Sequence, residues 1–354
     1  MTLRILIVGT GGMARNHASA FSNLPGVSVV GGVDVDAKRA AAFTSRYNIP
    51  NAFGSLDEAL AWGEFDAAAN VTPDKAHYPT TMKLLAARKH VFCEKPLAED
   101  FPKAREMADA AEKTGLVAMV NLTYRNVAQL QAARQLVQSG AIGTVCHVEA
   151  SYLQSWLVSK AWGDWQTESQ WLWRLSKAHG SNGCLGDTGI HILDFAVYGA
   201  DTEVNDVFCR MKAFDKAAGN RIGEYNLDAN DGFTMSVTFA NGAIGVIHGT
   251  RWATGHLNDL SLRVYGSKGG IEVIHTPKHS SLRVCDGAGV ERGNWTDVDV
   301  PGVENNFQRF VAAVRAGKTQ EPSFRHAANL QKVLDAAFVS DQRRVELGMN
   351  SVVS

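Results

Sequence analysis

The opening stretch LRILIVGTGGMARNHASAF constrains the fold more than any other part of the chain. A continuous apolar run stops at Gly9 and passes at once into an alanine-rich pattern of helical period, which predicts strand, glycine turn and helix. Gly9, Gly11 and Ala14 fit the spacing G-x-G-x-x-[G/A]. In that spacing the first glycine permits a tight turn and the second lets a pyrophosphate approach the backbone. The small third residue lets helix and strand pack closely. Gly12 and Met13 complete the turn that would face such a cofactor. A second apolar run, VSVVGGVDVD, reaches an acid at Asp34, about where a ribose-binding carboxylate is expected. Asp34 would accept from the adenosine ribose hydroxyls and repel a 2′-phosphate, which favours NAD. Lys38 and Arg39, a turn further on, keep NADP open. The competing role for Asp34 is a cap on the next helix.

The alternation continues through FDAAANVT, HYPTTMKLLAARK, HVFCEKP, FPKAREMADAAEKTG and VAMVNLT, read as strand, helix, strand, helix and strand. Repeated units of this kind predict a Rossmann-type, doubly wound parallel sheet over residues 1–122. Ligands of such sheets bind beyond the carboxyl ends of the strands, where Thr72, Pro73, Glu94 and Lys95 fall. A chain of 354 residues exceeds one ordinary core, so residues 123–354 are expected to form a second domain. There a helix near 127–138 precedes the alternating run VCHVEASYLQ. Asn241-Gly242 between two alternating runs predicts a hairpin, and LSLRVYGSKGGIEVI predicts another. The expectation is α+β, with a large open antiparallel sheet and helices on one side. Its other face would serve a homo-oligomer, dimer or tetramer.

Thirty-five basic residues nearly cancel 36 acidic ones, so no general attraction to nucleic acid or anionic membrane is expected. The first apolar run is too short for a signal-peptide core and nothing approaches a membrane span, so a cytoplasmic location is expected. The five cysteines are odd in number and widely spaced. Without a C-x-x-C pair they read as reduced core thiols, and no metal is expected.

GCLGDTGIHILDFAVYG sets Asp187 and His191 four residues apart in a helical pattern, on one face. Such a pair fits acid and base work, or a structural contact. Asp194 on the same pattern is expected to cap or pack. Taken together, the glycine turn, EKPLA at Glu94 to Ala98, and G-x-x-x-D-x-x-x-H at Gly183, Asp187 and His191 resemble the glucose-fructose oxidoreductase and inositol dehydrogenase family, Gfo/Idh/MocA, along essentially the whole chain. The resemblance implies that Lys95, Asp187 and His191 line the substrate pocket beside the nicotinamide, and that the peptide before Pro96 is cis. VTPDKAHYP matches the family's T-P-N-x-x-H at Thr72, Pro73 and His77, which the resemblance implies as cofactor-binding positions, but carries Asp74, which is expected to cap the helix beginning near His77.

Hydride leaves a carbinol carbon only if the hydroxyl proton leaves too. His191 is the expected base, and Lys95 would stabilise the developing charge on the same oxygen. YLQSW followed by WRLSKAHGSNGCLGDTGIH is similar to the levoglucosan dehydrogenase branch of the family, which implies Tyr124, Arg125, Gln154, Trp156 and Arg174 as substrate-pocket residues. Arg125 and Arg174 have a structural alternative as ion-pair partners of acids across the domain junction. Five of the eight tryptophans, Trp156, Trp162, Trp165, Trp171 and Trp173, lie in this region. Packing should take at least half of them, leaving the rest to a sugar ring. The expected activity is an NAD-dependent dehydrogenase of a sugar, anhydrosugar or polyol. The alternatives are a glycoside hydrolase working through transient oxidation by bound NAD, and a non-catalytic regulator.

Overall fold

The computed structural model describes residues 2–351, whose contacts divide into two units. The first runs to Asn126 and takes in Glu304–Gln331; the second comprises Val127–Val303 and the chain from Lys332. A single division at residue 122 would leave 304–331 on the other side.

In the first unit strands and helices alternate: β1 (Leu3–Val8), α1 (Ala14–Ser22), β2 (Val27–Val33), α2 (Ala37–Arg46), β3 (Asn51–Phe53) and α3 (Leu56–Trp62). β4 (Ala67–Asn70), α4 (Asp74–Ala86), β5 (His90–Cys93), α5 (Phe101–Thr114) and β6 (Ala118–Val120) follow. The strands pair in the order β3-β2-β1-β4-β5-β6, every pair parallel. That order reverses between β1 and β4, the switch point at which doubly wound sheets take their ligands. Strands β1, β4, β5 and β6 are almost wholly buried on both faces, which explains why they read as unbroken apolar runs rather than alternating ones.

Helix starts follow local chemistry. Asp36 caps α2, accepting from the backbone N–H groups of Lys38 and Arg39, and Asp100 caps α5. Asp34 is therefore not the cap of α2. The expectation for Asp74 also fails: α4 begins at Asp74 itself, behind Pro73, with no side-chain cap. Asp74 stands in the first turn, where its charge suits the helix dipole without a capping bond.

The second unit holds α6 (Ala128–Gln138), β7 (Val145–Gln154), α7 (Ser169–Leu172), α8 (Ile190–Gly199) and β8 (Val204–Lys212). β9 (Arg221–Ile222) and β10 (Tyr225–Asn226) form a small separate pair. β11 (Gly232–Phe239), β12 (Ile244–Thr250), β13 (Asn258–Gly266), β14 (Gly269–His275), β15 (Ser280–Asp286), β16 (Thr296–Asp297) and β17 (Leu347–Gly348) complete it. Nine strands pair as β16-β15-β14-β13-β7-β12-β11-β8-β17. Both expected hairpins form, β11 with β12 and β13 with β14. The sheet is nevertheless mixed, because β7 runs parallel to β12. β7 lies far upstream and enters between the two hairpins, and a long crossover of that kind permits parallel pairing. Helices α6 and α8 pack on one face.

Two longer helices lie near the end of the described chain. α9 (Asn306–Ala316) belongs to the first unit, where Phe310 and Val311 join the core of β1, β4 and α1. α10 (Phe324–Arg343) begins there and continues into the second unit. No helix among the described residues is long and apolar enough to cross a membrane. The cysteines are all free; four are buried, whereas Cys146 is exposed, unlike the core thiol expected of it.

Candidate functional site

The nucleotide cradle of the first unit is built from backbone geometry. Gly9 has φ +89°, and a Cβ there would stand 2.7 Å from the Val71 carbonyl oxygen, so only glycine fits between β1 and the end of β4. A Cβ on Gly11 or Gly12 would meet nothing within 4 Å, which leaves open space over the turn. Beyond it α1 starts with no side-chain cap, and its N-terminal N–H groups suit a phosphate.

Asp34, at the end of β2, is buried. One carboxylate oxygen accepts from the Thr10 backbone N–H at 3.0 Å and from the Thr10 hydroxyl at 2.8 Å. The other accepts from the Asp36 N–H at 3.0 Å. Burial alone would raise its pKa, but these donors and the Arg39 guanidinium at 3.6 Å hold it below the ordinary aspartate value. The result is an ionised, pre-ordered acceptor with lone pairs to spare. The open glycine turn and this carboxylate fit the pyrophosphate and ribose of a dinucleotide.

At the end of β5, Glu94 is buried among polar partners. Its carboxylate lies 2.6 Å from His17 Nε2 and accepts from the Asn121 side chain at 2.8 Å. The Lys95 backbone N–H donates to it at 3.3 Å. Burial opposes the charge, yet His17, Asn121 and Lys95 outweigh it and hold the Glu94 pKa at about 2. His17 was legible as core-facing, since it shares the buried stripe of α1 with Ala14, Ala18 and Phe21. Lys95 is half-buried, and the Lys95–Pro96 peptide is cis.

Around the end of β4, Thr72 is half-buried and Pro73 exposed. His77 is buried, and its ring nitrogens lie 2.7 Å from the Pro96 carbonyl oxygen and 2.8 Å from that of Thr72. Tyr124 and Arg125 occupy a short turn, Thr123–Asn126. Arg125 is buried, with a nitrogen 2.8 Å from His326 Nε2.

The second unit brings another set together. Asp187 sits in a wide π-helical turn, Leu185–Gly189, and His191 in the first turn of α8. The plain α-helical spacing expected of the pair is thus interrupted by i→i+5 bonding, a distortion frequent at functional sites. The Thr188 hydroxyl donates to the Cys184 carbonyl at 2.8 Å within this bend. Asp187 accepts from Arg174 at 3.1 Å and from Arg251 at 3.3 Å. The structural alternative for Arg174 therefore has a partner, although it lies inside the second unit. Arg251 is fully buried, donates also to the Arg174 carbonyl, and lies over the Trp156 ring at 4.8 Å. Burial first of all pushes the Cys184 thiol up to about 11, which keeps it from acting as a thiolate.

Gln154 and Trp156 belong to a linked chain. Trp156 Nε1 donates to Gln154, and Gln154 and the Tyr152 hydroxyl both donate to Asn258 Oδ1 at 2.9 and 2.7 Å. The Tyr152 and His191 rings are 6.4 Å apart. Trp156 and Trp165 are core residues of a local cluster and Trp162 and Trp171 pack against it, while Trp173 is 40% exposed. Asp194 is buried within α8.

Sequence reasoning missed Arg251, Asn258 and the buried Lys216–Asp231 pair, whose charged atoms lie 2.9 Å apart. Strand parity held a signal for two of these. Asp231 continues the inward positions Phe233 and Met235, and Arg251 continues Ile247 and Gly249.

Comparisons with known proteins agree with this arrangement. Residues 3–122 match the oxidoreductase family with an NAD-binding Rossmann fold, and residues 130–272 match the Gfo/Idh/MocA C-terminal domain. The chain is 26% identical over 306 residues to levoglucosan dehydrogenase of Pseudarthrobacter phenanthrenivorans, covering 80% of this chain and 76% of the relative. It is 23% identical to glucose-6-phosphate 3-dehydrogenase of Bacillus subtilis over 99% of each chain. Among solved structures, an oxidoreductase domain protein from Kribbella flavida superposes with a TM-score of 0.81 at 29% identity, covering 99% of this chain and 100% of the other. Levoglucosan dehydrogenase in complex with NADH shares the fold, with a TM-score of 0.85 at 22% identity and 99% of each chain covered. With both of its domains matched in order, the chain belongs to the Gfo/Idh/MocA family of oxidoreductases.

Proposed function

We propose that this protein is an NAD-dependent dehydrogenase that oxidises a secondary hydroxyl of a sugar, anhydrosugar or polyol. As a family member it is an NAD(P)-dependent oxidoreductase of such hydroxyls. The finer reading assigns NAD, with Gly9, Gly11, Gly12, Met13 and Ala14 cradling the pyrophosphate and Asp34 the ribose. The observation that carries it is the Asp34 carboxylate, kept ionised by Thr10 and Asp36 and so unsuited to a 2′-phosphate.

The bound nicotinamide supplies the hydride acceptor. His191 takes the hydroxyl proton. Lys95 donates to the same oxygen and stabilises its developing negative charge. Asp187, held between the Arg174 and Arg251 guanidinium groups, orients a substrate hydroxyl. Trp156, Gln154 and Tyr124 supply apolar area and hydrogen bonds for a polyhydroxylated ring. We assign the exposed face of the second unit's sheet to a homo-oligomer contact, and the small-molecule substrate needs no further partner.

The test is absorbance in the NADH band when purified protein and NAD meet levoglucosan, glucose, inositols and alkyl glucosides. One class should give a signal, and Lys95→Ala should lower kcat at least about 100-fold, the scale of losing one preorganised donor to a developing charge, with NAD affinity nearly unchanged. Strong residual activity in Lys95→Ala would remove that residue from the chemistry. Cleavage of an aryl glycoside without net NADH would replace the dehydrogenase by the hydrolytic alternative.

A further inference from the structure

We propose that His77 is a buried imidazolium that bridges the Thr72 and Pro96 carbonyls and thereby positions Lys95, rather than a group that touches the cofactor. Both ring nitrogens face backbone oxygens, at 2.7 Å for Pro96 and 2.8 Å for Thr72. A carbonyl oxygen only accepts, so each short contact requires an N–H on the ring. A neutral imidazole has one N–H and would set a bare lone pair against the other oxygen. The doubly protonated ring satisfies both, and both distances are those of charge-assisted bonds.

The surroundings bear on the charge in both directions. Burial opposes it, as does the nearby N-terminus of α4. The Cys93 sulfur on β5, the Pro96 carbonyl and the Asp74 carboxylate on α4 itself favour it, and together they raise the pKa to about 9. The bridging role requires the ring to keep its charge at neutral pH and to lose it only as the pH rises through about 9.

The clamp has a clear mechanical consequence. Thr72 lies just past the end of β4, and Pro96 just past the end of β5. One side chain therefore ties together the two loops on which the cofactor edge is built. Asn70 reinforces the first loop, accepting from the Thr72 hydroxyl at 2.8 Å and donating to the His77 carbonyl at 3.2 Å. Lys95 is then gripped on both sides: Glu94 before it by His17, and Pro96 after it by His77. Deprotonating His77 removes one of its two bonds and frees either Thr72 or Pro96.

The charge state stands apart from the substrate reading, whereas its effect on turnover rests on that reading. Two measurements keep them distinguishable. In the full-length protein labelled with 15N-histidine, ring-nitrogen NMR shifts should show His77 with both nitrogens protonated at pH 7.5, titrating near pH 9. His77→Gln identifies the signal by its absence, and sequential assignment does so if that variant does not fold. A neutral ring at pH 7.5 overturns the proposal whether or not any substrate is turned over. With a substrate in hand, kcat should fall as pH rises through the same titration while NAD affinity stays constant. His77→Leu should lower kcat by roughly 10- to 100-fold, as expected for a misplaced group. His77→Gln, which keeps two N–H donors and cannot titrate, should recover part of that loss and lack the alkaline limb. An alkaline limb unchanged in His77→Gln refutes the positioning role.

Discussion

Asp34 shows how a single residue type acquires meaning from its neighbours. Two acids stand close together at the end of β2, and only the structure separates their tasks: Asp36 caps α2, which leaves Asp34 facing Thr10. Replacing Asp34 by alanine removes hydrogen bonds to a charged acceptor, each worth about 1.5–3 kcal/mol. NAD should therefore bind roughly 10- to 100-fold more weakly in Asp34→Ala, with NADP affected less. Titration of cofactor fluorescence in both proteins reads this directly; tighter binding of NADP than NAD by the unmutated protein would remove Asp34 from the ribose site. Arg251 makes the complementary point. Its charge is buried and spent on Asp187 and on the Arg174 carbonyl, a task that no motif announces.

Among the elements, the segment entering α8 is the most exacting. Gly183 has φ +69°, and a Cβ there would stand 2.4 Å from Asn230 Nδ2 and 2.7 Å from the Asn230 backbone nitrogen. Asn230 cannot retreat easily, because its side chain and carbonyl accept from the Leu185 and Cys184 N–H groups that start the bend. Gly183→Ala combines a strained left-handed conformation with a backbone clash and should cost roughly 2–4 kcal/mol. Urea denaturation measures it; a midpoint equal to that of the parent would mean that this contact relaxes freely. The tryptophan-rich segment is also settled at this scale. Four of its five indoles build or line a local core, so the ring faces left for a ligand are fewer than the composition implies.

For the molecule as a whole, the second unit's sheet poses the main question. Alternate residues of β12 point away from the helices: Ile244 is 58% exposed and Val246 41% exposed. Around them lie Arg263, Glu149 and Glu272, paired across neighbouring strands. Apolar side chains set among satisfied ion pairs are what a subunit contact requires. Sedimentation should show the parent above monomer mass at micromolar concentration. Ile244→Lys combined with Val246→Lys should lower that mass without unfolding the protein. A parent that sediments as a monomer would leave the face without this role.

The sequence by itself determined the elements whose signals are local. The Gly9 turn, the parallel units, both hairpins and the helix carrying His191 follow from periodicity and turn chemistry acting over a few residues. Gly9, Asp34, Lys95, Asp187 and His191 could be singled out for the same reason, as motif positions at the ends of such elements. What depended on residues far apart in the chain was settled only by the tertiary structure. It made β7 and β12 parallel neighbours, put Arg251 against Asp187, and turned both nitrogens of His77 toward carbonyls on two different loops. The physical reason is that burying a charge or a hydrogen-bonding group demands partners, and those partners are chosen by packing rather than by spacing along the chain.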